Sequence, residues 1–369
     1  MLKSFSVKNW RCFEKLELSD LKTVNVITGI NASGKSALLE AIQFGLLGIP
    51  NAIVWPNQLR GIVPPLPTNP QNFKNAWEHC FRSFVNNGKT ELSDNISIQY
   101  SDINDNSYSL DVSFRSGQSM PLTEISRIPS TMPMIPIVFE RKVNGTLTKT
   151  VVTMNEQGIV QQQPILQPLC PGVFIFTSML NYNEIDNTTW FSQMQTGPDA
   201  DRNKVKEIVG FIKQTFPFIT ELQVLAPNGM QGMYATMKSG EVRRLQLVSS
   251  GIYKIVTILL GCASLRSGVI LIDEIENGIF YEKYELVWAV LYKFAKEFGN
   301  QIFITSHCAE CLESLVPVME NSADEFSLLR TERENGNCIV RHISGTSMKA
   351  ALKRGSEIRG ASDEAESNK

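Results

Sequence analysis

The residues Gly29-Ile-Asn-Ala-Ser-Gly-Lys-Ser36 have the types and the spacing to hold a phosphate. They satisfy the pattern G-x-x-x-x-G-K-[ST] at every fixed position. Glycines let successive backbone N–H groups curl around an anion without Cβ clashes. Lys35 would set a point charge against the β- and γ-phosphates of a nucleotide, and Ser36 would give its hydroxyl to Mg²⁺. The helix that follows aims its N-terminal dipole at the same anion. The candidate contacts are therefore Gly29, Asn31, Ala32, Ser33, Gly34, Lys35, Ser36 and Ala37.

Three further stretches carry chemistry. Val269-Ile-Leu-Ile-Asp-Glu274 is an apolar run ending in two carboxylates. A strand-end Asp273 is placed to hold the Mg²⁺ shell beside a phosphate loop. Glu274 next to it can orient and deprotonate an attacking water. The same two acids could simply form a solvated turn, but the phosphate loop and the following Ile275-Glu-Asn-Gly278 favour the chemical reading. Gln301-Ile-Phe-Ile-Thr-Ser-His307 ends a second apolar strand in polar residues. His307 would then stand at the carboxyl end of an open α/β sheet, where ligands bind, as a γ-phosphate or water contact. The plainer alternative is a surface histidine at a helix start. Ser249, Ser250 and Gly251, just before a helical stretch, make an anion-binding cap or a simple N-cap.

These residues need elements to position them. Val24–Thr28 reads as the strand entering the loop, and 37–44 as the helix leaving it, apolar on one face. Residues 5–10 and 16–19 alternate as short strands of a small β-layer. Residues 50–75 are rich in Pro and Asn and read as a loop, with a short helix expected over 75–84. A β-rich middle follows, with alternation at 96–100 and 108–114. A second hairpin is expected around Asn144-Gly145, with strands over 135–142 and 147–153. Residues 116–134 and 155–170 read as irregular. Strands are expected at 173–176, 269–272 and 301–304, and helices at 200–215, 248–263 and 284–298. The continuous apolar strands suit a parallel sheet buried on both faces. A last hairpin pairs 326–329 with 338–342 around Asn335-Gly336, and the tail from Gly360 is polar.

The bulk properties narrow the class. With 369 residues and 43% apolar content, the chain can build a large α/β core with an insertion. A net charge of −2 gives no global sign of a polyanion-binding protein. The stretch Lys349–Arg354 with Arg359 could meet DNA locally, although a solvated helix face is the simpler reading. No signal-peptide core opens the chain, and the longest apolar run, 255–263, is too short to span a bilayer. A cytoplasmic protein without membrane contact is expected. Seven cysteines are scattered along it; Cys308-Ala-Glu-Cys311 has metal-knuckle spacing but no second pair, so two thiols one helical turn apart are expected.

The order of these motifs resembles that of ABC-type ATPases: phosphate loop, serine-glycine cap, strand with Asp-Glu, strand with histidine. The resemblance is to the SMC, RecF and OLD-type (overcoming lysogenization defect) subset. Val7-Lys-Asn-Trp-Arg-Cys-Phe13 looks like the "nFrxF" strand that opens those heads, and Asp273–Gly278 looks like the "DEIENGLH" form of OLD-like ATPases. The resemblance covers residues 1–50 and 170–355. It implies a P-loop NTPase fold with a mixed, largely parallel central sheet, an N-terminal antiparallel β-layer and a β-rich insertion. The implied segments are 1–50 for the first lobe, 51–170 for the insertion, 171–355 for the second lobe and 356–369 for the tail.

In function it implies an ATP- and Mg²⁺-dependent ATPase whose two copies sandwich two ATPs. Ser249, Ser250 and Gly251 would touch the γ-phosphate in trans, while Lys35, Glu274 and His307 serve catalysis. Arg11 would approach the nucleotide, Lys254 would stand for the basic residue after the family's signature, and Glu276–Gly278 would cross the dimer interface. Three departures are visible. The cap reads Ser-Ser-Gly, Cys308 follows the histidine, and the glutamine loop has no clear place beyond Thr177-Ser178. About 60 residues follow His307, too few for the Toprim nuclease domain of OLD proteins. The resemblance thus implies a standalone ATPase, a homodimer or higher homo-oligomer, controlling a separate effector such as a nuclease or toxin in anti-phage defence. A DNA-clamping repair ATPase and a nucleotide-binding assembly scaffold remain the alternatives.

Overall fold

A computed structural model describes residues 1–50, 52, 77–86, 89–114, 137–154, 160–169, 172–175, 184–197 and 201–360. The expected glutamine loop at Thr177-Ser178, the irregular stretches 116–134 and 155–159, most of the loop over 50–75 and the polar tail after Gly360 lie outside the described residues.

In chain order the described elements are β1 (Leu2–Trp10), β2 (Phe13–Ser19), β3 (Val24–Gly29), α1 (Lys35–Leu47), β4 (Ser83–Asn86), β5 (Lys89–Leu92), β6 (Asn95–Asp102), β7 (Ser107–Phe114), β8 (Ile137–Val143), β9 (Thr146–Met154), β10 (Val160–Gln163) and β11 (Gly172–Ile175). There follow α2 (Glu184–Thr196), α3 (Arg202–Thr215), β12 (Ile219–Leu225), β13 (Gly232–Met237), β14 (Val242–Arg244), α4 (Leu245–Val248), α5 (Ser250–Ser264), β15 (Val269–Ile272), α6 (Tyr284–Phe298), β16 (Gln301–Thr305), α7 (Ala309–Glu313), α8 (Leu315–Val318), β17 (Phe326–Glu334), β18 (Asn337–Ser344) and α9 (Gly345–Lys353).

Two large sheets organise the molecule. The central one has the order β11-β15-β16-β3-β17-β18 and is parallel except for β18, which returns as a hairpin on β17. Its strands alternate between two cores. Val26, Ile270, Ile272, Ile302, Ile304 and Leu328 face α5 and α6, while Ile27, Leu271, Phe303 and Leu329 face α1. Burial on both faces accounts for the unbroken apolar runs of these strands.

The second sheet is antiparallel, in the order β10-β9-β8-β7-β6-β1-β2. It covers the other side of α1, where Phe5, Trp10, Ile98 and Phe139 join the helix residues Leu38, Ile42 and Phe44 in one core. The N-terminal strands and the middle hairpins are therefore one continuous sheet, because β1 pairs with β6. The helix carrying the phosphate loop is held between the two sheets.

Two local expectations are corrected. Within the described residues the helix expected over 75–84 ends at residue 78, because the chain after it is drawn onto the end of β1. Arg82 donates its backbone N–H to Asn9 O (3.1 Å) and Phe81 bridges to Trp10. The helix expected from Val248 starts at Ser250 instead. Ser249 is extended (φ −167°, ψ 129°) and its hydroxyl accepts from the amide of Ile252, an N-cap between α4 and α5.

Candidate nucleotide site

The phosphate loop joins β3 to α1 and is fastened from the side by β17. The buried Ser33 hydroxyl donates to Ile30 O (2.8 Å) and meets Thr331 Oγ1 (2.6 Å). Thr331 in turn donates to Thr28 O (2.9 Å). At Gly34 φ is +99°, and a Cβ there would lie 2.9 Å from Cys12 Sγ and 3.0 Å from the Phe13 ring, so only glycine fits. No side chain caps the N-terminus of α1. The first turn thus presents amides with no carboxylate or hydroxyl of its own to receive them, an arrangement that favours an anion.

Lys35 curls back into this loop. Its Nζ donates to Gly29 O (2.8 Å) and Ile30 O (2.9 Å). Burial lowers the pKa of its ammonium, while Asp273, Glu274 and Glu276 act to keep the proton. Three elements then converge. Asp273, just after β15, accepts from Ser36 Oγ at the start of α1 (3.0 Å) and from Thr305 Oγ1 at the end of β16 (2.6 Å). The Thr305 hydroxyl also receives the amide of Glu274 (2.6 Å). Strand adjacency makes this possible: Thr305 is paired with Ile27 on β3, and Ile304 with Ile272 on β15.

Glu274 itself sits at φ +50°, an uncommon conformation for a non-glycine residue. The loop after it is clamped from beneath by Lys254. The Lys254 Nζ donates to the carbonyls of Glu274 (2.5 Å), Ile275 (2.9 Å) and Asn277 (3.1 Å). Burial pushes this lysine down to about 7, against the carboxylates of Glu276, Glu274 and Asp273. Lys254 is thus a strut inside its own chain; its ammonium is not free to meet a second copy. Asn277 donates its side-chain amide to Glu274 Oε2, leaving Oε1 to accept from a ligand.

His307 is half exposed, and its Nδ1 lies 2.8 Å from Glu276 Oε1. The same oxygen accepts the His307 backbone amide (2.9 Å). Glu276 is almost fully buried, so it orients the imidazole and leaves Nε2 outward. Arg11 pairs with Glu40 on α1 (2.7 Å) and stacks on Trp10, which places it one helical turn beyond Ser36. Ser250 is exposed at the start of α5, close to the loop after Glu274; a Cβ on Gly251 would fall 1.8 Å from Gly278 O. Among the described residues no group of His, Cys, Asp and Glu has the arrangement of a metal cluster, and Cys308 and Cys311 start one short helix as free thiols.

The sequence pattern singled out Gly29–Ser36, Asp273, Glu274 and His307, and the fold brings them to the carboxyl ends of β3, β15 and β16 in the central sheet. It missed Thr305, Thr331 and the orienting role of Glu276. Only Thr305 carried a signal, as the hydroxyl that ends an apolar strand.

Comparisons with known proteins accord with this geometry. A family model described as an AAA domain matches residues 4–161. The SMC head bound to the C-winged helix domain of ScpA superposes with a TM-score of 0.51 at 11% identity, covering 93% of this chain and 97% of that one. This chain has the mixed α/β fold of an SMC head domain. The SMC head domain from Thermotoga maritima is also similar (TM-score 0.46, 11% identity, 93% and 99% covered). So is the Pyrococcus furiosus Smc head with an extended coiled coil, bound to the C-terminal domain of ScpA (0.48, 11%, 97% and 99%). No curated protein matches the chain. Among the described residues of the head, no helix is long and apolar enough to cross a membrane.

Proposed function

We propose that the protein binds and hydrolyses ATP at a site that a second copy completes, and that the resulting opening and closing of a dimer controls a separate effector. The observation that carries this is the meeting of Lys35, Ser36, Asp273, Thr305 and Glu274 at the uncapped N-terminus of α1.

The residues divide the work. The amides of Asn31–Ala37 and the Lys35 ammonium bind the β- and γ-phosphates, the lysine exchanging two carbonyls for phosphate oxygens. The hydroxyl of Ser36 and the carboxylate of Asp273 fit a hard cation such as Mg²⁺, and that ion would supply charge neutralisation to the phosphates. Thr305 fixes both Asp273 and the backbone of Glu274. Glu274 Oε1 accepts the proton of the attacking water, and Asn277 holds the other oxygen in place. His307, braced by Glu276, offers Nε2 to a γ-phosphate oxygen. Arg11 steadies the start of α1 through Glu40.

The exposed Ser250 with Ser249 and Gly251 is the half-site that serves a second copy's nucleotide. Gly251 touches Gly278 in the loop after Glu274, so docking of a partner on the cap presses on the catalytic loop. The SMC head that this fold matches is itself bound to a domain of another protein, which supports a separate partner here. The nature of the effector, whether nuclease or toxin, is the reading carried from the OLD-like motif Asp273–Gly278.

The decisive variant is Glu274→Gln. It is expected to keep ATP affinity, slow hydrolysis by about 100-fold or more, and accumulate as an ATP-bound dimer in size-exclusion chromatography with light scattering. Wild-type turnover by this variant would remove Glu274 from the role of base.

A further inference from the structure

Two thiols that are 326 positions apart meet directly beneath the phosphate loop. Cys12 lies in the turn between β1 and β2, and Cys338 is the second residue of β18. The Cys338 backbone N–H donates to Cys12 O (2.9 Å), which sets the two residues side by side. Both also touch the same point of the loop. A Cβ built on Gly34 would lie 2.9 Å from Cys12 Sγ and 3.2 Å from Cys338 Sγ. The sulfur pair is thus the floor on which Gly34, at φ +99°, rests.

We propose that Cys12 and Cys338 are a redox-modification site, closed to a disulfide by peroxide, that weakens nucleotide binding by moving the floor of the phosphate loop. The two sulfurs come from separate sheets, so a bond between them ties the β1–β2 turn to the β17–β18 hairpin. Cys12 is only partly buried, which gives a small oxidant access, while Cys338 is fully buried behind it. The neighbouring Cys12 thiol and the positive charge of Arg333 hold the Cys338 thiol below its usual value, against the opposing effect of burial.

The chemistry balances. One sulfur, as thiolate, attacks a peroxide oxygen; the O–O bond breaks, leaving a sulfenic acid and one water after protonation. The second sulfur displaces the sulfenic oxygen as a second water, forming the S–S bond. Two thiols and one peroxide become one disulfide and two waters. The two separate sulfurs must approach to about 2.05 Å in that bond. A shift of that size beneath Gly34 moves the amides that face the phosphates.

The effect on ATP rests on the reading of Gly29–Ser36 as the nucleotide loop; formation of the disulfide does not. The test uses the full chain with hydrogen peroxide, then digestion without reductant and peptide mass mapping, and ATP titration before and after. The expected result is a cross-linked peptide pair containing Cys12 and Cys338, a loss of ATP affinity of at least about tenfold, and recovery with dithiothreitol. Cys12→Ser and Cys338→Ser are each expected to give no such peptide and no loss of affinity on oxidation. Absence of the cross-linked peptide from the oxidised wild type overturns the site. A cross-link with unchanged ATP affinity overturns its action on the loop. If the reduced wild type binds no ATP, the loop reading fails instead, and the peptide map still decides the disulfide.

Discussion

The two halves of the proposed site sit on one chain and are built on opposite terms. Around the phosphate loop, four polar side chains already have a partner within the molecule: Lys35 in two carbonyls, Ser36 in Asp273, Asp273 in Thr305, His307 in Glu276. At the cap, Ser249 closes on its own helix, but Ser250 is exposed, and Leu247, Phe280 and Tyr281 stand exposed in the segments beside it. The first half is poised for a small anion that exchanges one set of partners for another. The second presents exposed apolar surface. A pre-satisfied polar network costs little to keep buried, whereas exposed apolar side chains gain free energy only on contact.

The contrast can be broken at either end. Lys35→Ala has the largest expected effect, because it removes the cation from the closed half. ATP affinity should fall at least about 100-fold, a loss of roughly 3 kcal/mol, read by calorimetry or a fluorescent nucleotide. Unchanged affinity would sink the assignment of the loop. Ser250→Arg should act on the open half alone. ATP binding by the monomer stays within about twofold, well under 1 kcal/mol, while the ATP-dependent dimer and hydrolysis are lost. Hydrolysis surviving that change would point to a monomeric site.

The link between the halves gives two smaller tests. Lys254→Met removes the strut under Glu274–Asn277 and leaves three carbonyls without their donor. The expected cost is about 2–3 kcal/mol of folding stability, seen as a lower midpoint in denaturant, with hydrolysis falling more than ATP affinity. Equal losses in both would mean that the strut serves the fold and not the placement of Glu274. Thr305→Val keeps the shape of the buried strand end but deletes the hydroxyl between Asp273 and the Glu274 amide. About 1 kcal/mol of stability is expected to go, together with a higher Mg²⁺ requirement in an ATPase titration. An unchanged Mg²⁺ dependence would show that Thr305 does not position Asp273.

Much of the architecture was legible because it is written locally. The loop pattern is eight consecutive residues, and its amides are neighbours along the chain. Strands β15 and β16 declare themselves as continuous apolar runs, and Asn144-Gly145 and Asn335-Gly336 mark hairpins through the positive φ that their turns need. The misses fall where a distant contact overrode local preference. Residues 81–82 take their partners from the end of β1 and so leave the expected helix. Lys254, expected as the basic residue after the signature, gains its role as a strut only because the loop after β15 folds over it.

The sequence by itself determined which residues could bind a phosphate, hold a cation and move a proton, since these depend on side-chain type and on spacing within one turn or strand. Only the tertiary structure decided that Thr305 would join Asp273 to the Glu274 amide, that Glu276 would brace His307, and that Cys12 would rest against Cys338. Those meetings depend on the strand order β15-β16-β3-β17-β18 and on its register. Strand order is fixed by burying two faces of the sheet at once, a condition on the whole chain that no local pattern contains.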